Sequence, residues 1–284
     1  MALSPAKRHF LRVTAAQEAA TTAADQPMAG SGAYELQMAQ LHQHYQQLKG
    51  IQSTQAKEEL KAKLLPDYAP YIAGVLASGQ GAQDEVVATI MVWRLDAGDY
   101  EGGLEIAAYV LKHGLTMPPD RFARKVPCLV AEEIAEAALK ALKAGGTFDI
   151  SVLAEADRLT AGEDMPDEVR AKLMLALGRV AAAQVDPEKP NTADVHSLEV
   201  ARHFLTRALE LHDKCGGKRD LELVDRQLKK HAEPPVPPAT SETQEGPATP
   251  ANQESQVTKK QPAPRKPRTS RSTKSPRKNG NQAS

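Results

Sequence analysis

The chain has 284 residues, with 36 basic against 36 acidic side chains, 41% hydrophobic residues and only 4% aromatic ones. No run approaches the roughly 18 apolar residues of a membrane span, and no charged-then-apolar signal segment opens the sequence, so a soluble intracellular protein is expected. Cys128 and Cys215 are the only cysteines and form no Cys-x-x-Cys pair, which excludes a disulfide framework and a multi-cysteine zinc site and leaves two ordinary thiols.

Apolar residues recur at three and four positions and alternating β-branched runs are missing, so the chain reads as all-α. Ser4-Pro5 supplies an N-cap and a proline at the first helical position, which predicts a helix from about Pro5 to Ala20. Lys7, Arg8 and Arg12 form a basic cluster on it, with Arg8 and Arg12 one turn apart on the same face. A DNA contact and a solvated helix face both fit that cluster. The stretch Thr21 to Gly32, rich in Ala, Thr and Gly, reads as a flexible link.

From Tyr34, apolar positions fall at Tyr34, Met38, Leu41, Tyr45 and Leu48, a 4-3-4-3 spacing that makes an a/d seam over roughly two heptads. The register fails after Lys49-Gly50, resumes at Leu60 and Leu64, and Pro66 is expected to end the run. A sustained coiled coil needs about three or four heptads, so residues 34–64 serve either oligomerisation or packing within their own chain. His42 and His44 project from different helix faces, which argues against joint metal binding; both read as solvent-facing.

Further helices are predicted at about Asp67–Ala77, Gln83–Asp96, Tyr100–His113, Val130–Ala144, Ser151–Thr160, Pro166–Ala183, Ala193–Leu211 and Arg219–His231. Between Asp96 and Ala107 a short turn and small residues would let two helices pack closely, a pattern resembling a tetratricopeptide-type hairpin. Ala201–Leu211 is a partial echo, with Leu173–Val180 as its candidate partner helix. The expected architecture is an irregular array of helical hairpins. Trp93, in an apolar helix, reads as a core anchor rather than a base-stacking platform.

Residues 232–284 hold ten of the 20 prolines, no aromatic residue, and only Val236 and Val257 as large aliphatics. Such a segment buries too little apolar surface to offset the entropy of ordering it, so a disordered tail is expected. Its first part is a Pro-rich spacer. From Ser255 onward it carries nine Lys/Arg and no Asp or Glu, leaving 27 basic and all 36 acidic residues in 1–254. An acid-free arm of this kind suits a polyanion, because each neutralised phosphate releases condensed counterions. A solubilising tail is the competing reading. The organisation is therefore a short basic helix and link over 1–33, a helical body over 34–231, and a spacer and arm over 232–284.

A search for chemistry finds no Gly-x-x-x-x-Gly-Lys-Ser/Thr loop; Cys215-Gly-Gly-Lys-Arg lacks both the spacing and the hydroxyl. No strand-borne nuclease carboxylate set is visible around Asp67, Asp120 or Asp167. The acid pairs Glu132-Glu133 and Glu163-Asp164 read as helix-start or surface charges.

Three segments, Val92-Trp-Arg-Leu-Asp-Ala-Gly-Asp99, Gly103-Leu-Glu-Ile-Ala107 and Leu111-Lys-His-Gly-Leu-Thr-Met-Pro118, resemble the small terminase subunit of peduovirus-type tailed phages. Ser4-Pro-Ala-Lys-Arg-His9, Gly81-Ala-Gln-Asp84 and Met165-Pro-Asp-Glu-Val-Arg-Ala-Lys-Leu173 match that family too, so the resemblance spans most of residues 4–230. It implies recognition of the packaging site on concatemeric double-stranded phage DNA and cohesive-end cutting with a large ATPase subunit. A homo-oligomer, no membrane partner and the bacterial host cytoplasm are implied as well.

The family is also labelled the terminase endonuclease subunit, yet no nuclease motif transfers to this chain position by position, so no catalytic residue is nominated. No cofactor is expected in the chain, with Mg²⁺ required if it cleaves DNA. The candidate DNA-binding residues are Lys259, Lys260, Arg265, Lys266, Arg268, Arg271, Lys274, Arg277 and Lys278 in the arm, with Lys7, Arg8 and Arg12 in the first helix. A protein-docking adaptor with a solubilising tail is the alternative.

Overall fold

Short polar side chains set where the helices begin. Ser4 Oγ accepts from the Lys7 amide at 3.3 Å, Ser53 Oγ from Ala56 at 3.3 Å, Asp99 Oδ1 from Gly102 at 3.2 Å and Asp149 Oδ1 from Ser151 at 2.8 Å. Each covers an amide that a helix N-terminus leaves unpaired. The computed structural model describes residues 3–30, 32–118, 124–185 and 192–232. Among them the fold is all-α: α1 (Pro5–Thr21), α2 (Gly32–Lys49), α3 (Thr54–Ser78), α4 (Glu85–Asp96), α5 (Tyr100–His113), α6 (Val126–Lys143), α7 (Ile150–Thr160), α8 (Asp167–Ala183), α9 (Thr192–Leu211) and α10 (Lys218–Ala232).

The hairpins expected from the sequence are present. α4 turns into α5 through 97–99, with Gly98 at φ +81. A Cβ at Gly103 would come within 2.4 Å of Leu95 Cδ2, so glycine there permits the close approach of the two helices. α8 makes its most extensive contact with α9, where a Cβ at Gly178 would fall 2.7 Å from Leu205 Cγ and 3.1 Å from the Ala201 carbonyl oxygen, so glycine there lets the two helices close on each other. α10 closes against α9 through buried Val224. Trp93 is a core anchor, 2% exposed and edge-on to Tyr45 and Tyr68 at centroid distances of 5.5 and 6.1 Å.

Several expectations require correction. Pro66 does not end a helix, because α3 runs through both Pro66 and Pro70. Pro66 and Ala62 are exposed, so the Ala62 carbonyl that loses its helical donor is open to water, and buried Leu65, Tyr68, Tyr71, Ile72 and Val75 hold the helix on both sides. Helix α6 starts at Val126 rather than Val130, with Pro127 in its first turn. His44 is buried, not solvent-facing: its Nδ1 is hydrogen-bonded to the Tyr68 hydroxyl at 2.8 Å, and burial pushes its pKa down.

The Thr21–Gly32 link is not free. Asp25 donates to the Gly81 carbonyl at 3.2 Å, Met28 to Gln83 at 3.1 Å, and Gln83 back to Gln26 at 2.8 Å, while Met28 is buried. Short backbone pairing thus straps the segment onto the turn before α4. The α2 seam also faces inward: Leu41 and Leu48 are buried, and Tyr34, Met38 and Tyr45 pack against the same core. Contact between copies would need another face of α2.

Next to the strap lies Asp84, 3% exposed. Its Oδ1 accepts from the Val87 amide at 3.0 Å and caps α4, and its Oδ2 accepts from the Tyr71 hydroxyl of α3 at 2.6 Å. Burial pushes the carboxyl up to about 6 against the opposing pull of those donors. Between its ordinary range and about 6 the folded chain holds a proton that the unfolded chain has released, so ionising Asp84 costs stability as pH rises through that window. Asp84→Asn keeps an amide oxygen for the cap and removes the titration. Denaturant unfolding of both proteins between pH 4 and pH 7 is expected to show the wild type losing on the order of 2–3 kcal/mol relative to the variant as pH rises, then a plateau.

Candidate nucleic-acid interface

Helix α1 carries the only described residues among the predicted DNA contacts. Leu11, Ala15 and Ala19 are buried and the helix lies along α3. At Gly74 of α3 a Cβ would fall 2.3 Å from the Arg12 carbonyl oxygen, so the absence of a side chain there lets the two backbones meet. The helix is thereby fixed to the body while Lys7, Arg8 and Arg12 remain exposed. Among the described residues none of the three is in an ion pair.

The one acid of α1, Glu18, is turned to the other end, where both its carboxylate oxygens accept from the Ala33 amide at 3.1 Å. The N-terminal half of α1 is therefore purely cationic, and it also presents Phe10, 64% exposed. Lys259, Lys260, Arg265, Lys266, Arg268, Arg271, Lys274, Arg277 and Lys278 lie outside the described residues.

Acidic residues are organised differently from the sequence reading. Glu132 is neither a helix-start nor a surface charge: it is 7% exposed in the middle of α6. Lys172 of α8 reaches it at 2.9 Å and Glu136 at 2.7 Å, and Arg124 pairs with it from the segment before α6. No local signal in the sequence announces a pairing across 40 residues. Glu163 and Asp164, by contrast, are exposed as expected.

A second group, Glu58, Glu59, Asp96, Glu133 and Glu136 with Lys140, lines a cleft of about 720 Å³. Burial, then Asp96 and Glu136, push the Glu133 carboxyl above its ordinary range. Among the described residues no three His, Cys, Asp or Glu side chains are grouped to hold a metal ion.

These features define an all-α body of helical hairpins with a cationic helix at its N-terminal end. Residues 38–168 match the family model of the phage small terminase subunit. The chain is also 41% identical over 237 residues to the "Terminase, endonuclease subunit" of Escherichia phage P2, covering 84% of this chain and 90% of that protein. No solved structure matches it. The chain belongs to the phage small terminase subunit family.

The buried charge network gives a direct test of the packing. Lys172→Met keeps an apolar stem of similar length but leaves Glu132 with Arg124 alone. Denaturant unfolding should register a loss of about 1–3 kcal/mol, because a carboxylate in such a site is costly without its partners.

Proposed function

We propose that this chain binds the packaging site of concatemeric double-stranded phage DNA and acts with the large ATPase subunit in cohesive-end cutting and genome packaging. The observation that carries the reading is the 41% identity, over most of both chains, to a phage terminase subunit. The exposed cations of α1 and the acid-free C-terminal arm support it chemically, since both offer charge that neutralises phosphate.

The relative's name includes endonuclease. In our reading this chain contributes recognition and assembly to cutting, and the carboxylates that hold Mg²⁺ belong to the large subunit. Phosphate contacts position DNA without choosing a sequence, so selection of the site falls to the folded body acting on bases or DNA shape. Multiple copies would add avidity. No helix among the described residues is long and apolar enough to cross a membrane, and the host cytoplasm is the expected place of action.

Purified chain incubated with Mg²⁺ and packaging-site DNA, with and without the large subunit, tests the division of labour. Binding alone and cutting only in the presence of both subunits is the expected outcome; site-specific nicking by this chain alone overturns it. Removing residues 257–284 should weaken binding and flatten the dependence of log affinity on log salt by roughly 0.9 for each arm residue in contact with a phosphate of duplex DNA. An unchanged slope would remove the arm from the interface.

A further inference from the structure

At the corner where α2 gives way to α3, buried Leu48, Val92 and Trp93 line a cavity of about 240 Å³ that Lys49, Lys57 and Lys61 also border. We propose that this cavity is a phosphate-binding site for the backbone of duplex DNA, an inference that rests on the DNA-binding reading above.

Lys61 is neutralised by Asp96, which also borders the cavity. Lys49 and Lys57 have no carboxylate partner among the described residues. Residues 1–254 hold 36 acidic side chains against 27 basic ones, so two unpaired ammonium groups at one cavity run against the charge of the body.

The placement is also unfavourable for the isolated fold. Lys57 and Lys61 are four residues apart on one helix face, and the Lys61–Asp96 pair leaves Lys57 as the uncompensated member. Lys57 closes the first turn of α3, whose N-terminus already carries partial positive charge. An anion at the mouth of the cavity offsets that placement. Glu58 and Glu59, which follow Lys57 in sequence, line the acidic cleft that adjoins this cavity at Asp96.

Size and chemistry select the ligand. Sites for whole small molecules span roughly 300–1,000 Å³, and this one is smaller, which suits a single phosphodiester presented by a longer chain. Trp93 is 2% exposed, so its ring offers no face for stacking a base. What remains available is an apolar lining for lysine stems and two ammonium donors, the chemistry of a backbone contact that positions DNA without reading its sequence.

The test uses the intact chain with Lys49→Gln and Lys57→Gln together, titrated against duplex DNA carrying the packaging site over about 50–200 mM salt. The slope of log affinity against log salt should become shallower by roughly 0.9, as the loss of one phosphate contact requires. Lys140→Gln, at a lysine set among the cleft carboxylates, should leave it unchanged. If the double variant lowers the thermal midpoint, Lys49→Gln alone, at an exposed position, is read in the same way and should shift the slope in the same direction. An unchanged slope while the wild type binds DNA overturns the cavity as a DNA site and leaves the function standing. Absence of salt-dependent binding by the wild type overturns both.

Discussion

The buried Asp84 carboxylate is the constraint on which the N-terminal half of the body depends. It caps α4, takes the Tyr71 hydroxyl of α3, and stands next to Gln83, whose backbone pairs with Gln26 and Met28. The Gln83 side chain extends the same junction to the segment after α5, accepting from the Thr116 amide at 2.9 Å and its hydroxyl at 3.1 Å. An apolar residue at position 84 would avoid the desolvation that raises the carboxyl, but it could neither end the turn nor hold α3 against α4. The cost of the buried charge is thus exchanged for a defined path of the strap that carries the chain from α1 to α2.

That path matters for function because it fixes where the positive charge emerges. Some acids of the body are absorbed into ion pairs such as Glu132 with Lys172, and others are gathered in the cleft lined by Glu58, Glu59, Asp96, Glu133 and Glu136. Among the described residues without an ion-pair partner are the cations of α1 and, at the α2–α3 corner, Lys49 and Lys57. A polyanion approaching a body with an acidic excess is repelled from most of its surface, so such local positive regions govern orientation as well as affinity.

Much of the helical order was legible because its signals are local. Ser4-Pro5 starts α1 as a capping residue and a proline should, and the Gly98-Asp99 turn with small residues beyond it yields the tight α4–α5 hairpin. The a/d spacing of Tyr34 to Leu48 correctly marked an apolar face, but periodicity does not reveal whether its partner is the same chain or another copy. The misreadings are tertiary in origin. Pro66 is carried inside α3 by the packing of residues on both sides of it, the polar strap is ordered by backbone pairing to Gly81 and Gln83, and His44 is drawn inward by Tyr68. Glu132 looked like a surface acid because its partner Lys172 lies on a helix far along the chain. The α2–α3 corner cavity escaped notice for the same reason: its lysines become a group only when α4 supplies Val92 and Trp93.

In the proposed function, this terminase subunit meets DNA through its cationic regions and not through its acidic cleft. Photocrosslinking packaging-site duplex to the intact chain, followed by identification of the linked peptides, distinguishes the two. Links are expected in Lys7–Arg12, in Lys49–Lys61 and in the arm after residue 255. Links confined to α6–α10 would contradict it.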